Sequence, residues 1–155
     1  MRRNDREISA PDIIEKFIAG ERIIRIAFVD DGDIYIVPVN YGYTLTNGNY
    51  TFYFHGAAAG RKFELAQNEP TVGFEIDGAY KLLEADNACD FSAEFMSVIG
   101  TGRLKVLTEK AEKTAALNML MKQNTGRGDW DFDEKTLKAT AVYELAADKL
   151  SCKAK

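Results

Sequence analysis

The stretch Arg22-Ile23-Ile24-Arg25-Ile26-Ala27-Phe28-Val29-Asp30-Asp31-Gly32-Asp33-Ile34-Tyr35-Ile36-Val37-Pro38-Val39-Asn40-Tyr41 decides the fold class. Two runs rich in β-branched and aromatic residues flank a turn of aspartates and one glycine, the pattern of a β-hairpin. A second hairpin follows at once. Thr46-Asn47-Gly48-Asn49 separates Tyr41–Leu45 from Tyr50–His55. Such short connections require antiparallel pairing, because parallel strands need long crossovers. Further strands are expected at Thr71–Asp77, Ala79–Ala85, Phe95–Leu107 and Thr140–Leu150, with a bulge or bend at Gly100 and Gly102.

Helices are sparser. Ser9-Ala10-Pro11-Asp12 reads as a helix start before the stripe Ile13, Ile14, Phe17 and Ile18. A short helix is expected over Ala58–Asn68, ended by Pro70. A third, capped by Thr108, is expected from Glu109 to about Gln123, with Leu117, Leu120 and Met121 buried. Asn124–Asp133 reads as a loop carrying the one tryptophan, Trp130, and Lys153-Ala154-Lys155 as a frayed tail. The expected architecture is mainly β: an antiparallel split β-barrel of about six to seven strands, closed or half-closed, with peripheral α-helices in a single domain.

Composition bounds the function. The chain has 155 residues, 46% hydrophobic and 28% charged, with a net charge of −4. That charge opposes general nucleic-acid binding, which needs a basic footprint. Cys89 and Cys152 are far apart and only one histidine is present, so no zinc-type site is expected. Two unpatterned cysteines suit a reducing compartment. Neither a signal-type apolar segment behind Met1-Arg2-Arg3 nor a run of transmembrane length is present, so the expectation is a cytoplasmic protein with no membrane partner.

The chemistry concentrates in Phe52-Tyr53-Phe54-His55-Gly56-Ala57-Ala58-Ala59-Gly60-Arg61-Lys62. An apolar strand runs into a small-residue turn, and the turn opens a helix that begins with two cations. The helix dipole disfavours cations there unless an anion is bound, so the pair reads either as a solvated helix start or as a phosphate site. His55 is either a satisfied structural residue or a proton donor that titrates near neutrality. Asn40 is unusual in a strand and offers both a donor and an acceptor, and Pro38 belongs at a sheet edge. Glu75, Asp77 and Glu94 form no persuasive acid–base pair, and Walker, dinucleotide and Ser/His/Asp signatures are missing.

Four segments in order carry a resemblance: Val37–Tyr43; Phe52–Ala57 with Gly60-Arg61-Lys62; Asn68–Glu75; and Met96–Arg103. Together they resemble the flavin-binding split-barrel proteins related to pyridoxamine 5'-phosphate oxidase, and within that group the 5-nitroimidazole antibiotic-resistance proteins. The resemblance implies FMN, with FAD as the alternative, at the boundary of a homodimer. It implies a flavin ring along Pro38, Val39 and Asn40, a phosphate near Gly60, Arg61 and Lys62, and further cofactor-binding positions at Tyr41 and Gly56. His55 would lie close to the ring, and Ser97, Val98, Ile99 and Gly100, with Trp130, would form the second subunit's wall. The implied activity is reduction of a small oxidised substrate such as a nitroaromatic. A flavin or haem carrier without turnover is the alternative. The oxidase proper has a longer basic and aromatic C-terminal segment for its substrate, so oxidation of pyridoxamine phosphate is not expected here.

Overall fold

A computed structural model describes residues 4–155; the charged stretch at 1–3 lies outside the described residues. In chain order the elements are β1 (Glu7–Ile8), α1 (Pro11–Gly20), β2 (Ile23–Asp30), β3 (Asp33–Asn40), β4 (Gly42–Thr46) and β5 (Asn49–Ala57). They continue with α2 (Arg61–Ala66), β6 (Thr71–Leu83), β7 (Ser92–Leu107), α3 (Lys110–Thr125), α4 (Glu134–Ala139) and β8 (Thr140–Ala154).

All pairings are antiparallel, in one eight-stranded sheet of order β3-β2-β6-β7-β8-β5-β4, with β1 added to β8. The path ends at β3 and β4 without a ladder joining them. The sheet is therefore a barrel left open along one seam. Its first two hairpins turn as expected. Asp31 and Gly32, and likewise Asn47 and Gly48, have positive φ, the requirement of a two-residue type I′ turn.

Alternation sets the core. Along β2, Ile24, Ile26 and Phe28 are buried while Ile23, Arg25 and Val29 face out. Phe52, Phe54, Val72, Phe74, Val98, Leu104, Tyr143 and Leu145 complete the interior, and Phe17 and Ile18 of α1 pack into it. Each such side chain contributes roughly 1.5–3 kcal/mol by burial. A smaller cluster of Leu107, Ala116, Leu117, Leu137 and Val142 lies where α3 and α4 cover the other face of β7 and β8.

Several local expectations change. The expected break at Asp77-Gly78 is a register shift inside one long strand, β6. Ser9 does not cap α1; Ala10 holds that position and Pro11 starts the helix. Glu109 takes the place expected of Thr108. The short helix is only Arg61–Ala66, since Ala58 and Ala59 belong to the turn. Residues 134–139 form α4, capped by the Asp133 carboxylate, which accepts from the Thr136 N–H at 2.8 Å. The segment expected to fray is paired: the Lys155 and Phe95 backbones exchange hydrogen bonds of 3.0 and 3.2 Å.

Candidate functional site: a cationic corner at the open seam

The site begins with β5, which carries Phe54 inward and His55 outward and ends at Ala57. Ala58-Ala59-Gly60 then reverse the chain. Gly60 has φ of +88°, a conformation that a side chain would strain, and it sets Arg61 and Lys62 at the start of α2.

The two cations have different environments. The Arg61 Nε donates to the Asp30 carboxylate at 2.6 Å, and its guanidinium lies 4.6 Å above the Tyr35 ring. Arg61 thus ties α2 to the β2–β3 hairpin and is partly neutralised. Lys62 turns inward. Its ammonium lies 5.3 Å from the Tyr143 ring centre and 5.7 Å from that of Phe54, and it donates a long 3.4 Å bond to the His55 carbonyl. Among the described residues no carboxylate is ion-paired with it. Half-burial pushes its pKa below the ordinary lysine value.

Gly56 makes that position possible, because a Cβ there would stand 2.7 Å from the Lys62 Nζ. Desolvation, and then the Lys62 charge, push the His55 pKa below its ordinary value, which favours the neutral imidazole. Beneath Lys62, Tyr143 is fully buried and stacks on Phe54 at 4.8 Å between ring centres. Its hydroxyl has no hydrogen-bond partner, alone among the buried side-chain polar atoms of the described residues. Burial, with the Tyr35 phenol nearby, pushes its pKa up to about 12.

The remaining expected site residues divide between the two faces of the sheet. Pro38, Asn40, Ser97 and Ile99 belong to the outer face. Pro38, Arg25, Glu75 and Ile99 form one row across β3, β2, β6 and β7. Ile99 is 56% exposed, and beside this row Ala27, Ile36, Gly73, Phe74, Ile99 and Gly100 border an apolar hollow of about 480 Å³. Asn40 spends its amide N–H on the Arg22 carbonyl at 3.2 Å. Pro38 does lie on an edge strand.

Val39, Tyr41 and Val98 face the core instead, because period-two alternation turns each away from its outward neighbours. Tyr41 is fully buried and donates to the Ile18 carbonyl at 2.6 Å, and Val98 is equally enclosed. Val39 is half-buried against the core, and the Tyr41 and Val98 side chains are closed to solvent. Gly100 is likewise turned inward, where the Phe74 ring occupies the space that a side chain would need. Trp130 stands apart on the α3–α4 loop. Its backbone is clamped by the Asn118 amide at 2.8 and 3.0 Å, its indole N–H donates to the Arg127 carbonyl, and the Arg127 guanidinium covers the ring at 4.1 Å. Among the described residues no hydrogen bond or ring contact joins it to the cationic corner. Glu75 and Asp77, read as an unpersuasive acid–base pair, share Arg25 as an ion partner, and Glu94 pairs with Lys81.

Sequence reasoning missed Asp30, Tyr35, Phe54 and Tyr143. The inward alternation of β3, β5 and β8 marks the three aromatics as core, but it does not say which of them meet α2.

An antiparallel barrel open along one seam, with a short cation-led helix set at the opening, defines the class of split-barrel proteins. The chain belongs to the family described as pyridoxamine 5'-phosphate oxidase, whose profile matches residues 11–154. No curated protein matches the chain. Among solved structures it is similar to a candidate 5-nitroimidazole antibiotic resistance protein from Bacteroides thetaiotaomicron VPI-5482, with a TM-score of 0.82 and 23% identity over 96% of this chain and 86% of that one. It is also similar to the flavocytochrome Anf3 from Azotobacter vinelandii (TM-score 0.82, 21% identity, 100% and 72% covered). A FAD and heme binding protein from Mycobacterium smegmatis gives a TM-score of 0.81 at 17% identity, with 97% and 73% covered. At these identities the likeness is one of fold.

Proposed function

We propose that this protein binds a flavin, FMN in the first place, and reduces a small oxidised substrate such as a nitroaromatic. FAD is the alternative: its first phosphate would use the same corner and leave the adenosine outside. The observation that carries the reading is Lys62, a half-buried ammonium without a carboxylate partner, in a space kept open by Gly56. A cation so placed favours an anion, and Arg61 beside it adds a planar fork. The residues therefore fit the phosphate end of a flavin. The similarity to a flavocytochrome and to a FAD and heme binding protein agrees with it.

The chain's own residues then divide the work. Lys62 and Arg61 hold phosphate. The open edge of β3 runs about 10 Å from Tyr35, under Arg61, to Pro38, and leads a ligand from the corner toward the outer face. The apolar hollow beside Ile36 and Ile99 suits a flat ring, and a second copy of the chain laid on this face would exclude water from it. His55, with its depressed pKa, is neutral near pH 7 and can hold or accept a proton at the rim. When bound, flavin supplies the electron transfer; the protein supplies binding, orientation and electrostatics. The homodimer and a cytoplasmic location belong to the same proposal; among the described residues no helix is long and apolar enough to cross a membrane.

The test is the absorbance spectrum of the purified protein, with and without added FMN or FAD. Flavin bands bleached by NADH or NADPH and restored by a nitroaromatic support the enzyme. Bands that no donor bleaches, or haem bands, point to a carrier. A colourless protein that takes up neither flavin refutes the proposal.

A further inference from the structure

The Tyr143 hydroxyl is a buried polar group that the fold leaves unsatisfied, on a ring that lies under the Lys62 ammonium. Native interiors rarely keep such groups, because a desolvated hydroxyl without a partner costs stability and a phenylalanine would fill the same space without that cost. Where one persists beneath a half-buried cation, function is the physical reason to look for first. Its surroundings are specific. The Tyr143 ring stacks on Phe54, the Lys62 ammonium rides over it at 5.3 Å, and the Cα of Gly56 carries no side chain between them. The nearby Tyr35 ring lies under Arg61, so both tyrosines belong to the same corner.

Lys62 is the movable part of the wall. It is held by cation–π contact and by one long hydrogen bond to the His55 carbonyl, and a lysine stem has free rotors. An ammonium held this loosely is free to shift toward an anion at the corner and so uncover the Tyr143 ring.

We propose that Tyr143 is a phosphate-contacting residue: its hydroxyl donates to a phosphate oxygen of the ligand that Lys62 holds, as the innermost contact of the site. This rests on the flavin-phosphate reading above and assigns it a third donor, on β8. An enclosed neutral donor of this kind selects for a phosphate-bearing ligand over the same ring without one.

The experiment compares wild-type protein with Tyr143→Phe, each titrated with FMN and with riboflavin, which has the same ring but no phosphate. Thermal unfolding without flavin is recorded alongside. The expected result is FMN binding weakened about tenfold or more, the size of a hydrogen bond to a charged group. Riboflavin affinity stays unchanged, and the flavin-free melting temperature is equal or higher because the unsatisfied hydroxyl is gone. The split between the two ligands is something that a purely structural role would not produce. FMN affinity unchanged in Tyr143→Phe, or FMN and riboflavin weakened equally, overturns the assignment while leaving the flavin reading intact. Wild-type protein that binds neither FMN nor inorganic phosphate overturns both.

Discussion

Replacing Gly56 by alanine tests the cationic corner without touching a charge. The new Cβ would stand 2.7 Å from the Lys62 Nζ and 3.1 Å from its Cε, against the roughly 3.5 Å or more of a relaxed contact. The ammonium must retreat by nearly 1 Å, and its bond to the His55 carbonyl, already 3.4 Å long, is lost. The obstacle is the end of a flexible side chain, and Gly56 has no positive φ, so the fold itself changes by less than about 1 kcal/mol. A displaced Lys62 forfeits a charge-assisted contact to phosphate of ~1.5–3 kcal/mol, which is about 10- to 100-fold in affinity. The assay is FMN titration followed by flavin fluorescence, with urea unfolding in parallel. Lys62→Gln should lose a similar amount, and the double variant little more than either, because both remove one interaction. If Gly56→Ala binds FMN as tightly as wild type, Lys62 does not hold the phosphate from this position.

Three further outcomes follow from the geometry. Gly42→Ala should destabilise by more than about 3 kcal/mol, since its Cβ would overlap the α3 backbone at Met119 and Leu120, and urea midpoints will show it. The Ile18 carbonyl accepts from both the Tyr41 hydroxyl at 2.6 Å and the Gln123 amide at 3.0 Å. Tyr41→Phe should therefore cost only ~0.5–1.5 kcal/mol, and Tyr41→Phe with Gln123→Ala more than the sum of the singles, as a denaturation cycle will measure. His55 has a folded pKa below its unfolded value, so unfolded chains take up the proton first as pH falls through about 6.5, and stability declines with it. Between pH 7.5 and 5.5 the wild type should lose more thermal stability than His55→Gln.

How much of this was legible in the sequence follows from the range of each interaction. The two type I′ turns and the period-two strands are local, and Asp31-Gly32 and Asn47-Gly48 announce themselves. Helix starts were less secure. Ser9 and Thr108 are good capping residues on paper, yet Ala10 and Glu109 hold those positions because tertiary docking sets where each helix begins. The Arg61-Lys62 pair was visible as a cationic helix start, but not that Arg61 would be tied to Asp30 while Lys62 alone turned toward Phe54 and Tyr143. Those partners come from strands far away in the chain. A list of contiguous residues such as Val37–Tyr43 also mixes the two faces of a strand, so Pro38 and Asn40 face outward while Val39 and Tyr41 enter the core.

Strand β8 pairs with β7 along one edge, with β5 along the other, and near its end with β1. It is also made after every strand it joins. During synthesis β5 and β7 therefore wait with unpaired edges, each a template for adhesion to another nascent chain. Tyr143, on this same late strand, reaches its place beneath Lys62 only when the barrel is assembled. The corner is thus completed together with the fold, and a ligand that needs it can report that the last strand has docked.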